Sequence, residues 1–388
     1  MGNISYKDLC IGDHCYGCGL CATICKANVL TMQLNTKGFY VPKVISPKKC
    51  IGCGLCSKVC SFRSCNTTPY FKEAIGIFAG WSNNSNIRYR SSSGGVAMEI
   101  TRRAMQKGYK VCSVRYNNNK RRAEHFIAET IADLEYSSGS KYLQSYTLEG
   151  FQNININDKN VIIGTPCQID MWRRYLRIRK KEDNFILIDF FCHGVPTVNL
   201  WEKYLKERKD ISQDSMITWR DKLNGWHSSW NICAYHSHDK KLETPYFRSS
   251  AIENKDLFYS LFLGNYCLNR SCYANCKYKL NNSSADIRLG DFWGSSYSKV
   301  DDGVNSILVF TSKGLQIIND IDITIVNHTL KEACEGQMHK PVNKPWFYTI
   351  CSWTLRLPFI KLSTIHTAIV WEEILSYQIK KLFKKNYQ

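Results

Sequence analysis

Cysteines at positions Cys15, Cys18, Cys21 and Cys25 follow the spacing C-x2-C-x2-C-x3-C, and Cys50, Cys53, Cys56 and Cys60 repeat it. Both runs contain Gly-Cys-Gly-Leu-Cys, so the pair is an internal duplication. Three thiolates at this spacing wrap one corner of an iron–sulfur cubane, and the fourth, on the following helical turn, points to a neighbouring cluster. The expected ligand sets are therefore crossed. Cys15, Cys18, Cys21 and Cys60 hold one 4Fe-4S cluster, and Cys50, Cys53, Cys56 and Cys25 hold the second. Structural zinc takes two ligand pairs separated by a longer loop, and the glycines here leave room for sulfide near the backbone.

The elements around these runs must hold them in place. Val29 to Met32 and Phe39 to Val44 read as short strands separated by a turn at Asn35 to Gly38, which gives a compact module over residues 1–68. The module is similar to bacterial-type dicluster ferredoxins of α+β class, although Lys26 and Ser61 stand where a proline usually follows the fourth cysteine. Cys10 and Cys65 lie outside the spacing and are expected not to be ligands.

A chain of 388 residues fits two or three domains. The start, Met1 to Ile11, is short and polar rather than an apolar signal, so the 19 cysteines are expected in a reducing cytoplasm as thiols, not as a disulfide scaffold. The formal charge of +19 first suggests nucleic acid. Each oxidised cubane with its four thiolates offsets about two of those charges. The basic residues are also scattered and no recognition motif accompanies them, so no nucleic-acid partner is expected. An acidic protein, an anionic substrate or a membrane surface stays compatible with the charge.

Residues 69–330 read as an oxidoreductase core with sub-regions 75–155 and 156–330. A polar run from Trp81 to Ser93 leads through Gly94-Gly95 into an amphipathic helix, Val96 to Lys107, whose start offers hydroxyls and amides to a phosphate or makes an ordinary cap. Strand-like segments follow at Tyr109 to Tyr116 and His125 to Thr130. Val161 to Gly164 and Phe185 to Phe191 then read as buried strands, each followed by a helix, which indicates an α/β core. Cys167 and Cys192 sit just past these strand ends, where open α/β sheets place ligands. With Cys272 and Cys276 from a later loop they form a candidate third ligand set, which Cys267, five residues before Cys272, could also enter. Cys112, Cys233, Cys334 and Cys351 have no assigned role.

Six short pieces in order carry a resemblance: Ser93-Gly94-Gly95, Gly139-Ser-Lys-Tyr142, Gly164-Thr-Pro-Cys-Gln168, Phe191-Cys-His-Gly-Val-Pro196, Ser271-Cys-Tyr-Ala-Asn-Cys276, and Ala285-Asp-Ile running on to Gly290-Asp-Phe-Trp-Gly294. On them the chain resembles the coenzyme F-420 hydrogenase/dehydrogenase beta-subunit family, which also includes the plant hydroxymethyl chlorophyll reductase. The resemblance implies an α/β core of that type, FAD bound in it, and a 4Fe-4S cluster on Cys167, Cys192, Cys272 and Cys276. The final pair is C-x3-C where some relatives have C-x2-C. The resemblance also implies FAD contacts at Ser93, Gly94 and Gly95 near the pyrophosphate, at Lys141 and Tyr142 near the ring, and at Asp291. A lysine beside the ring would stabilise its anionic reduced form by charge attraction.

The expected function is an iron–sulfur flavoprotein oxidoreductase fed by a ferredoxin or similar electron-transfer protein. Its acceptor would be a deazaflavin coenzyme or an unknown small-molecule or glycan substrate, the latter by association with surface polysaccharide synthesis. The alternative is an electron-transfer subunit that serves a partner hydrogenase or dehydrogenase and has no substrate of its own. His193, His227 and Lys141 are the candidate catalytic residues. His193 is also placed to donate to cluster sulfur, and His227 to serve structure. The tail, residues 331–388, is helical and basic, too broken by Arg356, Lys361 and His366 to span a bilayer. It is expected either to dock on the domain or to touch the inner membrane face through Ile379-Lys-Lys-Leu-Phe-Lys-Lys385.

Overall fold

The computed structural model describes residues 15–63, 69–236, 244–273 and 276–385; Cys10 and Cys65 lie outside them. In the amino-terminal module, α1 (Leu20–Thr23) and α2 (Leu55–Lys58) each begin directly after a left-handed glycine, Gly19 at φ 84° and Gly54 at φ 68°. A side chain at Gly19 would also bring its Cβ 1.8 Å from Thr147 Oγ1. The repeat in sequence is thus a repeat in conformation. Between the helices, β1 (Leu30–Leu34) and β2 (Tyr40–Val44) pair antiparallel, and Asn35 Oδ1 accepts from Lys37 N and Phe39 N in the turn.

The core begins with β3 (Gly76–Ser82), α3 (Ser85–Arg90), α4 (Val96–Gln106), β4 (Lys110–Asn117) and β5 (Arg122–Ala128). It continues through α5 (Leu148–Gln152), β6 (Asn160–Ile163), α6 (Pro166–Arg179), β7 (Phe185–Phe190) and α7 (Val198–Glu207). A three-stranded antiparallel sheet follows, with β8 (Met216–Thr218), β9 (Asn231–Tyr235) and β10 (Phe247–Ser250), then α8 (Leu257–Leu263). The chain closes with β11 (Ile287–Asp291), β12 (Asn305–Val309), α9 (Ser312–Ile318), β13 (Ile323–Asn327), α10 (Leu330–Ala333), α11 (Tyr348–Thr354) and α12 (Leu362–Lys385).

The main sheet has eight strands in the order β13-β3-β12-β11-β7-β6-β4-β5. Its middle, β4, β6, β7 and β11, is parallel, and antiparallel strands border it on both sides. The apolar run Phe185 to Ile188 faces both ways: Phe185 and Leu187 pack with Trp172 and Leu176 of α6, while Ile186 and Ile188 pack with Val96 and Ile100 of α4. A strand with a helical layer on each face has no polar side, which explains its unbroken hydrophobicity. Each such buried side chain contributes roughly 1.5–3 kcal/mol.

The module seats on the carboxyl ends of the parallel strands. Tyr40 N donates to Gln144 Oε1 at 2.8 Å, Gln144 Nε2 returns to Tyr40 O at 3.1 Å, and Thr197 Oγ1 donates to Lys37 O at 2.6 Å. Leu20, Ile24 and Val59 enter the same apolar cluster as Ile169 and Trp172, so module and core share a hydrophobic seam.

The expected α/β architecture is present, and the helix expected at Val96 to Lys107 runs Val96–Gln106. The polar approach expected from Trp81 differs. Trp81 and Ser82 end β3, and α3 follows with Asn84 as its cap, accepting from Asn86 N and Ile87 N at 3.0 and 3.2 Å. Pairing on both sides with β12 and β13 holds that strand despite the two glycines in it.

Candidate iron–sulfur relay and cofactor crevice

Of the seventeen described cysteines, twelve fall into three adjoining groups. Burial pushes the Cys56 thiol up to about 11, and the neighbouring thiolates of Cys25, Cys53 and Cys50 add to it. Cys21 is raised first by burial and then by Cys15, Cys60 and Cys56. For Cys18 the causes are burial and then Cys15, Cys21, Cys167 and Cys60. Cys25 thus lies near Cys56 of the second run, and Cys60 near Cys18 and Cys21 of the first.

The third group joins at Cys167, on the first turn of α6. Burial raises it foremost, Thr165 Oγ1 at 3.2 Å lowers it, and Cys192 and Cys276 raise it further. Cys272 is raised by burial and then by Cys192, Cys276 and Cys167, and burial brings Cys192 to about 11 against the opposing charge of Lys279. Cys267 is elsewhere: it is buried in the apolar cluster of α7 and α8, and the thiol that acts on it is Cys351. Cys112, Cys233, Cys334 and Cys351 are likewise buried.

Among the described residues no three His, Cys, Asp or Glu side chains converge on a single-ion position. Thiols on the corners of a cubane stand farther apart than ligands on one ion. Crowded thiols, of which Cys18, Cys21, Cys56, Cys167, Cys192 and Cys272 are made reluctant to ionise by burial and by their neighbours, are a donor set that cationic iron would relieve. Each of the three groups fits a cluster on that chemistry. Cys53 is exposed at one end of the series, and Cys18 and Cys21 are buried in the middle.

Toward the third group, through His193 and Phe262, partly exposed aromatic rings pack round the buried Arg220 and border the candidate cofactor crevice. Arg220 is 2% exposed. Its guanidinium lies 4.6 Å from the Trp230 ring and 5.1 Å from the Trp293 ring. It donates to Asp291 Oδ2 at 3.0 Å, Ser229 Oγ at 2.8 Å, Ser92 O at 3.3 Å and Tyr142 Oη at 3.4 Å. Asp291 Oδ1 also accepts from Trp226 Nε1 at 3.2 Å, and Tyr142 stacks on Trp230 at 5.3 Å. One arginine thus ties together three positions expected at a cofactor: the serine loop, Tyr142 and Asp291. The sequence reading missed it, since Trp219-Arg-Asp-Lys222 has no motif spacing; a charged triplet after a tryptophan was the available signal.

Arg220→Lys is expected to cost about 3 kcal/mol, because a single ammonium cannot keep the forked donors and the two ring faces. Chemical denaturation checks the stability, and near-ultraviolet circular dichroism of the packed tryptophans checks the local arrangement.

The other expected contacts are placed as follows. Ser93 is buried and donates to Val304 O at 2.7 Å, Gly94 lies against Gly80 O and Asn305, and Gly95 at φ 86° caps α4, whose Val96 N donates to Asn305 Oδ1 at 3.2 Å. The Ser93 hydroxyl is therefore occupied within the chain, and Ser92, whose Oγ accepts from Ser140 N at 2.7 Å, faces the expected loop instead. Lys141 Nζ donates to the carbonyls of Tyr136, Ser138 and Gly139 at 3.1, 2.8 and 3.1 Å, which directs it into its own loop. Buried Lys222 binds the same serine loop through Ser93 O and Arg88 O, at 2.6 and 2.7 Å, and its pKa is lowered to about 7 by burial and then by Arg220.

The two histidines occupy opposite ends of the aromatic wall. His193 meets Phe262 at 5.4 Å, Phe262 meets Tyr142, and Trp293 meets His227 at 5.9 Å. His193 Nε2 is buried with no hydrogen-bond partner among the described residues, and burial keeps the ring neutral. An orphaned nitrogen next to Cys192 fits a bound group in the crevice. His227 is held at the rim, with Nε2 3.3 Å from Tyr297 O.

The chain matches known families along most of its length. Residues 14–64 match the 4Fe-4S dicluster domain family. Residues 77–150 match the amino-terminal model of the coenzyme F420 hydrogenase/dehydrogenase beta subunit, and residues 157–331 match its carboxyl-terminal model. No curated protein matches. Thirteen chains of solved structures match. Among them is a chain from the F420-reducing [NiFe] hydrogenase complex of Methanosarcina barkeri, at 16% identity over 67% of this chain and 84% of that one, with a TM-score of 0.47. With both halves of one family matched in order and a dicluster domain ahead of them, the chain belongs to the coenzyme F420 hydrogenase/dehydrogenase beta-subunit family and carries an amino-terminal 4Fe-4S dicluster domain.

Proposed function

We propose that this iron–sulfur protein conducts electrons along its three cysteine groups into the aromatic crevice, where FAD is held, and from there to a deazaflavin coenzyme or another small substrate. When bound, the clusters and flavin supply one-electron conduction and its conversion to two-electron chemistry. The observation that carries the reading is the series of adjoining thiols, in which Cys56 acts on Cys21 and Cys167 acts on Cys18. A site meant only for structure has no need of three such groups in a row from surface to crevice.

The chain's own residues have distinct tasks in this reading. Cys15, Cys18, Cys21 and Cys60, then Cys50, Cys53, Cys56 and Cys25, then Cys167, Cys192, Cys272 and Cys276 hold iron. Exposed Cys53, with Ile51 beside it at 79% exposure, presents the entry face to a ferredoxin-type donor. Arg220 fixes Tyr142, Asp291 and the Ser92 carbonyl around the crevice, and His193 offers its unpartnered nitrogen there. Acid release of bound flavin from anaerobically purified chain tests the reading. About one FAD per chain is expected. Chain without flavin, and without uptake of added FAD, would contradict it.

A further inference from the structure

The chain has ten tryptophans, and the three that are exposed all fall near its end: Trp346 at 65%, Trp353 at 57% and Trp371 at 63%. Phe359, at the corner between α11 and α12, is 77% exposed. α11 turns Tyr348 and Cys351 into the core, with Leu355 following, and leaves Ile350 and Trp353 outward. α12 turns Leu362, Ile365 and Ile369 into the same core, and leaves Val370, Trp371 and Ile374 outward. Two helices that share one inner anchor thus both carry apolar side chains on the faces away from it. Large exposed aromatics grouped this way mark an interaction surface rather than scatter.

Its charge indicates what covers it. From Gly336 to Ile374 the sequence holds Lys340, Lys344, Arg356 and Lys361 against Glu372 and Glu373, of which Glu372 is buried and accepts from Tyr266, and α12 ends in Lys380-Lys381-Leu-Phe-Lys384-Lys385. Tryptophan and phenylalanine flanked by lysine and arginine is the composition that sits at the level of lipid headgroups, with rings in the acyl boundary and cations on anionic phosphates. Protein–protein interfaces are depleted in lysine instead. No helix among the described residues is long and apolar enough to cross a membrane, so the contact is one of lying on the surface.

We propose that the outer faces of α11 and α12, with Phe359 between them, dock the protein on an anionic bilayer. The relay stays outside the contact and the docking does not depend on it. The test is co-sedimentation of the full chain with phosphatidylcholine vesicles, with and without phosphatidylglycerol, at low and high salt. Wild type should bind only the anionic vesicles, and less at high salt, with a blue shift of tryptophan emission. The variant Trp353→Ala/Phe359→Ala/Trp371→Ala should bind about tenfold or more weakly while keeping wild-type visible absorbance and melting. Lys340→Gln/Lys344→Gln/Arg356→Gln/Lys361→Gln should bind more weakly and with a shallower salt dependence. Wild type that stays in the supernatant with anionic vesicles at low salt would overturn the proposal. So would a stoichiometric protein partner captured through the same aromatics by a chain that ignores vesicles.

Discussion

Asp189→Asn is expected to cost about 3–5 kcal/mol of stability and to loosen the loop that carries Cys272 and Cys276. Asp189 on β7 and Arg288 on β11 are both fully buried, and Arg288 Nε and an Nη donate to the two carboxylate oxygens at 2.7 and 2.6 Å. The rest of the guanidinium is spent on the carbonyls of Leu280 at 2.7 Å, Asn282 at 3.1 Å and Tyr278 at 3.4 Å. Those residues follow Cys276 directly, so the arginine clamps the loop to the sheet. Asparagine keeps the volume but leaves a buried cation without its counter-charge. Ser283→Ala, which removes the 2.8 Å hydroxyl bond to Asp189 and the 3.0 Å bond that Ala285 N donates to the same hydroxyl, should cost about 1–2 kcal/mol. Chemical denaturation gives both values, and iron content reports the loop. A variant Asp189→Asn as stable as wild type would show that the pair is no clamp.

The second large effect concerns conduction. Cys167→Ala should remove about four iron atoms per chain, leave the amino-terminal iron in place, and abolish transfer from a reduced ferredoxin-type donor into the crevice. Cys167 is the thiol of the third group that acts on Cys18, so its position is the junction between module and core. Rapid mixing with reduced donor, followed at the visible iron–sulfur bands, separates the steps. The amino-terminal clusters should still reduce at the wild-type rate, while the flavin proposed in the crevice should stay oxidised, read at its own absorbance. Unchanged reduction of the crevice would place the junction elsewhere.

How much of this was written in the sequence varies with the range of the interaction. The module was legible because its chemistry is local: ligand spacing, Gly19 and Gly54 before each short helix, and the Asn35 turn all act within a few residues. The strands Phe185–Phe190 and Asn160–Ile163 were legible because burial on both faces leaves an unmistakable apolar run. β3 was not, since its two glycines and its polar end hide a strand that neighbours on both sides hold in place. The outward tryptophans of α11 and α12 are equally hidden, because exposure is a property of packing and not of composition.

Arg220 shows the limit most clearly. Its partners come from positions 92, 142, 229 and 291, so nothing near it in the chain marks it. Lys141 shows the converse: a family piece drew attention to it, yet its ammonium turns to three carbonyls of its own loop. The serine loop shifts the same way, with Ser93 tied to Val304 and Ser92 left at the crevice.

On the proposed reading, twelve cysteines hold iron in three adjoining groups. Iron and acid-labile sulfide, measured on anaerobically purified wild type and on Cys192→Ala, test it most directly. The account predicts about twelve iron and twelve sulfide per chain in wild type and about eight of each in the variant. About eight of each in both proteins would contradict it, leaving the core without a cluster and the relay ending at the module.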